Sequence, residues 1–281
     1  MTTIAVPTTT HTEPAPSALS RTTRPSRPNP LTASATHSWR AWLKIKHNLA
    51  GMLVETSITP LMVLLIFTYL FGGAFAGSTG TYLQFFLPGV MVQSVILMTV
   101  YTGSFLSIDI TKGIFNRFRT MPFWQPASIV GNVASDVLRY TTAMVTVLGV
   151  GLVMGFRAKG GVDGVLLAMV VLLVFAFSVS WIFAALGVVA KGPETVTGTT
   201  MIAMYPLMFT SNIFVDPATM PGWMQAVVKV NPISHATTAV RGFMHGTITT
   251  AQIGWVLGIS ALLIVVFAPL TMHLYARKGK G

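Results

Sequence analysis

The chain has 281 residues, 52% of them hydrophobic and only 9% charged, with a formal net charge of +11 and no cysteine. A soluble domain does not carry this balance. Disulfides, thiolate metal sites and a cysteine nucleophile are excluded outright, and several apolar runs exceed the ~18 residues that mark a membrane-spanning helix.

Residues 1–37 are rich in Thr, Pro, Ser and Ala and hold no apolar core, so they read as a disordered cytoplasmic tail rather than a signal peptide. Arg21, Arg24 and Arg27 give it the charge to lie against anionic lipid. The rest, 38–281, reads as one membrane domain. It opens with SWRAWLKIKHNLA (38–50), where Trp39 and Trp42 fall on one side of a helical wheel and Arg40 and Lys44 on another. That pattern fits a helix lying in the headgroup plane. It also fits an ordinary basic flank of the first span, and the residues leave both readings open.

Six spans are expected, at about 57–76, 86–108, 138–156, 164–190, 195–214 and 252–274. In lipid the backbone must satisfy its own hydrogen bonds, so an all-α fold follows. With the N-terminus inside, thirteen Lys and Arg fall on the cytoplasmic side and four (Arg157, Lys159, Lys229 and Arg241) outside, with Arg139 at the inner end of the third span. This is the positive-inside asymmetry, and it places both termini in the cytoplasm. It also accounts for the basic excess without nucleic acid. Between the fifth and sixth spans, PGWMQAVVKV and NPISHATTAVRGFMHG are each too short to cross and read as external re-entrant or interfacial helices.

The internal loop after the second span, TKGIFNRFRTMPFWQP (111–126), is long enough for a small helix. It carries Lys112, Arg117 and Arg119 beside Phe115 and Phe118. Apolar knobs rimmed by charge suit a docked partner; a solvated positive loop would look the same. Chemistry of the chain's own is not evident. No P-loop sequence occurs, the six histidines never stand at metal-ligand spacing, and Ser104 and His273 lack the surroundings of a nucleophilic serine. No acidic residue lies in the middle of a span, where a proton-coupled carrier needs one. Asp136 and Arg139, one turn apart, are expected to pair. Energy for uphill transport would therefore arrive from another chain. Two glycine pairs, Gly151/Gly155 and Gly254/Gly258, offer close helix contact.

GIFNRFRTMPFWQPASIVGNVASDVLRY (113–140), GFR (155–157), PLMFTSNIFVDPATMPGWMQ (206–225) and NPISHATTAVRG (231–242) closely resemble the permease subunits of type-2 ABC exporters, in the daunorubicin/doxorubicin-resistance branch. The resemblance covers about 40–275. It departs at Asn116, where the family has Asp, at Phe123-Trp124-Gln125, and at Asn132. It implies a non-catalytic bacterial plasma-membrane subunit that exports amphiphilic drugs or antibiotics. It further implies a second permease chain, and separate ATPase subunits that hold ATP and Mg. Lys112, Gly113, Phe115, Arg117, Phe118, Arg119 and Pro122 would then form the ATPase-coupling helix. The apolar faces of spans one, two and five would line the route. Met204, Tyr205, Met208 and Phe209 of span five suit such a substrate, or simply pack in the bundle. Export of a lipid or glycolipid is the alternative within transport; a membrane scaffold or immunity protein is the alternative outside it.

Overall fold

The computed structural model describes residues 49–111 and 127–278. The tail, the expected interfacial helix at Trp39–Lys44 and the loop carrying Lys112–Pro122 lie outside the described residues. Those described are helical or in short turns. We label the α-helices α1 (Leu49–Ile66), α2 (Gly72–Ala76), α3 (Thr79–Thr111), α4 (Ala127–Val153), α5 (Gly161–Val189), α6 (Pro193–Phe209), α7 (Gly222–Val230), α8 (Pro232–His245) and α9 (Thr250–Lys278). A π-helical turn, Phe67–Phe71, joins α1 to α2.

Among the described residues, five stretches are long and apolar enough to cross a membrane: Thr56–Ala76, Thr79–Thr111, Asp136–Val153, Gly161–Val189 and Thr250–Tyr275. The expected fifth span is shorter than its sequence suggests. Helix α6 has 17 residues, roughly 26 Å at 1.5 Å per residue. Its end has a local cause. Thr210 and Ser211 turn their hydroxyls back onto Pro206 O (2.8 Å) and Met208 O (2.6 Å). Asn231 Nδ2 then takes Leu207 O at 2.6 Å, a carbonyl that the helix end leaves open. Residues 210–216 therefore fold back as a loop, with Ile213 and Phe214 buried. The stretch after the first span departs in the other direction. It holds α2, closed by Gly77 at φ +72°, and α3 starts at Thr79, before the expected 86, with Ser78 Oγ accepting from Thr81 N at 3.1 Å.

Helix α3 is the centre of the bundle. It packs against α1, α4, α5, α6 and α8, and α5 in turn carries α9 on its far side. At the α3–α5 crossing, a Cβ on Gly103 would lie 2.3 Å from Phe183 O, and one on Gly187 2.2 Å from Gly103 O. Only glycine lets two backbones approach so closely. The glycine pairs expected to do this behave otherwise. A Cβ on Gly151 would meet Leu87 Cδ1 at 1.7 Å within the same chain, and Gly155 follows α4 at φ +103°. Gly254 and Gly258 have nothing within 4 Å and stay open on α9.

Apolar faces stay uncovered on several helices, α5 and α9 among them (Leu166 and Val170; Leu262 and Val265), and two more of them lie close together. On α1 and its π turn these are Ile58, Met62, Ile66, Tyr69 and Leu70; on α6 they are Ile202, Tyr205 and Phe209. They meet through aromatic rings near Phe214, one tilted and one stacked. Phe67 lies 5.2 Å from Phe214, and Phe214 5.2 Å from Phe209.

Candidate functional site: an inner clamp, an outer cap and an open face

The two helices that flank the 112–126 loop are locked together by a buried polar cluster. Thr102 of α3 donates to Asp136 Oδ2 of α4 at 2.5 Å. Tyr140, one turn after Asp136, places its hydroxyl 3.2 Å from Thr102 Oγ1 and 3.1 Å from Ser180 Oγ of α5. Ser180 spends its own proton on Ala176 O at 2.7 Å. Tyr140 is therefore the donor into whichever hydroxyl it meets. Arg139 stands 3.9 Å from Asp136 Oδ1 and lays its guanidinium over the Phe105 ring, 4.5 Å from the centroid. Asp136 is 4% exposed, so its charge survives burial only through these partners.

The position of this clamp gives it a mechanical meaning. Thr102 precedes the end of α3 by nine residues and Asp136 follows the start of α4 by nine, roughly 13 Å of helix on each side. The clamp thus fixes α3 to α4 about two and a half turns from the helix ends that border residues 112–126. Asp136→Ala, which removes the acceptor from both Thr102 and Arg139, is expected to cost about 3 kcal/mol. That is the low end for a broken buried pair, because Arg139 keeps part of its surface in contact with its surroundings. Asp136→Asn keeps an acceptor for Thr102 and should cost less. Thermal unfolding of the reconstituted chain checks this; equal stability in all three proteins contradicts it.

At the opposite end the connections are tied to one another by a second set of polar groups. Arg241 of α8 donates from Nε to Phe85 O (3.1 Å) and from Nη2 to Asn212 O (3.1 Å), and its guanidinium sits 3.8 Å from the centre of the Phe85 ring. Burial holds its pKa down to about 10, with Asp216 and Tyr82 acting in the opposite sense, so it is still a cation at neutral pH. Tyr82 donates to Phe214 O at 2.9 Å. Gln84 binds Gly155 O and Arg157 N, both at 3.1 Å. Asn231 caps α8 through Ile233 N at 2.9 Å. The helices α5 and α8 meet where a Cβ on Gly160 or Gly164 would lie 2.2 or 2.4 Å from Phe243 O. From sequence, Arg241 is only an external cation. The Arg-Gly pair closing NPISHATTAVRG is the one signal that points to this role, and nothing flags Tyr82 or Gln84.

The four residues singled out on span five divide between two faces of α6. Met208 is 1% exposed and belongs to the core, and Met204 packs against that core. Tyr205 and Phe209 are 47% and 62% exposed. A helix turns about 100° per residue, so 204/208 and 205/209 cannot share one surface. Helix α3 is enclosed on most sides, so of the three spans expected to line a route only α1 and α6 keep open faces, as α5 and α9 do also. Ser104 pairs with Thr197 Oγ1 at 2.9 Å, a helix-packing contact rather than an activated nucleophile.

Comparison with known proteins bears on this arrangement. The family model described as ABC-2 type transporter matches residues 34–245. The chain is 59% identical over 261 residues to the daunorubicin resistance ABC transporter permease protein DrrB1 of Streptomyces coeruleorubidus, covering 93% of this chain and 92% of that protein. It is 24% identical to the inner membrane transport permease YadH of Escherichia coli K12, over 85% of this chain and 94% of that one. It is also 24% identical to the probable doxorubicin resistance permease DrrC of Mycobacterium tuberculosis H37Rv, over 65% and 68%. A bundle of long apolar helices and a match across most of the chain lead to one conclusion: the protein belongs to the ABC-2 type transporter family, as a membrane permease subunit.

Proposed function

We propose that this chain forms the membrane pathway of an ATP-driven exporter of amphiphilic drugs, anthracyclines of the daunorubicin type among them. ATP and Mg would bind a separate ATPase subunit that docks on residues 112–122. The observation that carries the coupling is the Thr102–Asp136–Tyr140 clamp, which joins the two helices on either side of that loop. The drug class rests on the likeness to a daunorubicin resistance permease. In this reading both termini are cytoplasmic in a bacterial plasma membrane. Helix α6 is the fifth of six crossings, and α7 and α8 are short external helices that dip in from outside. The uncovered faces of α1 and α6 meet a second permease chain, and the substrate passes between them. Apolar faces of this kind would equally take a lipid tail, which keeps lipid export as the second reading.

Mild extraction followed by mass measurement tests the assembly. Two permease chains with two ATPase chains are expected; a lone permease, or a single permease in an active complex, contradicts the paired pathway.

A further inference from the structure

The search for a site outside the clamp and the open face leads to a cavity of about 380 Å³ between the Pro217–Ala218 turn, α7, α8 and the start of α9. That volume lies within the range of small-molecule sites, roughly 300–1,000 Å³. Its floor is unusual. Asn212 and Ser234, 6% and 4% exposed, both line it, and Asn212 Oδ1 and Ser234 Oγ have no hydrogen-bond partner among the described residues. Asn212 Nδ2 is already committed to Thr238 Oγ1 at 2.8 Å, so what Asn212 has left is an acceptor. Leaving such an atom buried and unpaired is costly, and native proteins rarely do so without a reason.

The wall is aromatic. His235 stacks on Trp255 with ring centroids 5.6 Å apart and planes 17° from parallel. His235 Nε2 lies 2.9 Å from Lys229 O. A carbonyl only accepts, so Nε2 carries the proton and Nδ1 is left with its lone pair. Trp255 is 62% exposed, so its indole is reachable. Two acceptors, a hydroxyl that works either way and a flat π wall select a ligand that is flat and brings hydrogen-bond donors. Lys229 stands at the rim.

We infer that this cavity binds a flat, hydroxylated aromatic amphiphile, the ring against Trp255 and the hydroxyls on Asn212, Ser234 and His235. Its role as a seat on the exit side rests on the exporter reading; the binding itself does not. No residue of α1 or α6 lines it.

The test uses the full chain in phosphatidylcholine nanodiscs without nucleotide or ATPase, with daunorubicin as a fluorescent probe read by anisotropy after subtraction of empty discs. Trp255→Ala removes an exposed wall and should weaken binding about tenfold. Ser234→Ala removes one oxygen and should weaken it about fivefold. Wild-type affinity in both variants overturns the site. So does a second outcome: competition by phosphatidylglycerol discs that Lys229→Ala abolishes, which would make the cavity a lipid headgroup seat. Because no ATP is present, a chain that binds the probe here yet moves nothing when energised would sink the exporter reading and leave the cavity standing.

Discussion

Gly103→Ala and Gly187→Ala should each separate α3 from α5 and remove the chain from the membrane fraction. The added methyl on residue 103 lands 2.3 Å from Phe183 O and 2.9 Å from Phe183 C; the one on residue 187 lands 2.2 Å from Gly103 O. Both obstacles are helix backbone, which cannot rotate away as a side chain can. Overpacking of a tight core costs about 1–3 kcal/mol and sometimes more, and this contact belongs at the upper end. Within a membrane the helices are held by close packing rather than by water exclusion, so nothing nearby compensates. The consequence spreads because α3 touches most of the bundle. Gly149→Ala is the control, since nothing lies within 4 Å of its added carbon. Accumulation and thermal unfolding of the three variants decide the matter. Wild-type stability in the Gly103 and Gly187 variants would mean that the helices do not cross here.

The second large effect concerns Arg117 and Arg119. Reversing both to Glu should abolish retention of the ATPase subunit while leaving insertion and folding unchanged. The two residues are two positions apart, so on a helix they point to different flanks, and one change alone can spare the contact. Truncating one member of a buried interfacial charge pair costs about 2–5 kcal/mol, whereas a rim charge costs far less. At those values the double reversal lowers affinity by roughly 30-fold to several thousandfold. Altered screening of a solvated loop produces nothing of that size. Pull-down of the ATPase on normally inserted variant protein measures it; full retention would reduce the loop to a positive anchor.

How far the sequence carried can be judged element by element. The long apolar runs are legible because a lipid-facing helix writes its length directly in composition, and α5 and α9 lie within a few residues of their expected bounds. Helix α6 is misjudged for the opposite reason. Thr210 and Ser211 look neutral in a hydropathy window, yet their side chains bond to the helix end and terminate it. Residues three apart on one helix are readable, and Asp136 and Arg139 stand 3.9 Å apart. Their link to Thr102, 34 positions away, depends on which faces α3 and α4 turn to each other, and periodicity in a uniformly apolar helix does not record that. The same limit hid the split of Met204 and Met208 from Tyr205 and Phe209, and the Gly103–Gly187 crossing, where neither glycine belongs to a spaced pair. The role of Arg241 is not legible because charge counting records only a side of the membrane, whereas the side chain is tied to the Phe85 and Asn212 carbonyls.

The central claim is that this chain is a passage driven by ATP hydrolysed on another subunit, with force entering through the 112–126 loop and the α3–α4 clamp. The most direct measurement is daunorubicin accumulation in inside-out proteoliposomes holding the permease with its ATPase. The account predicts accumulation that requires ATP, the ATPase and intact Arg117 and Arg119. A stably assembled complex that hydrolyses ATP without moving the drug, or movement unchanged in the double reversal, would contradict it.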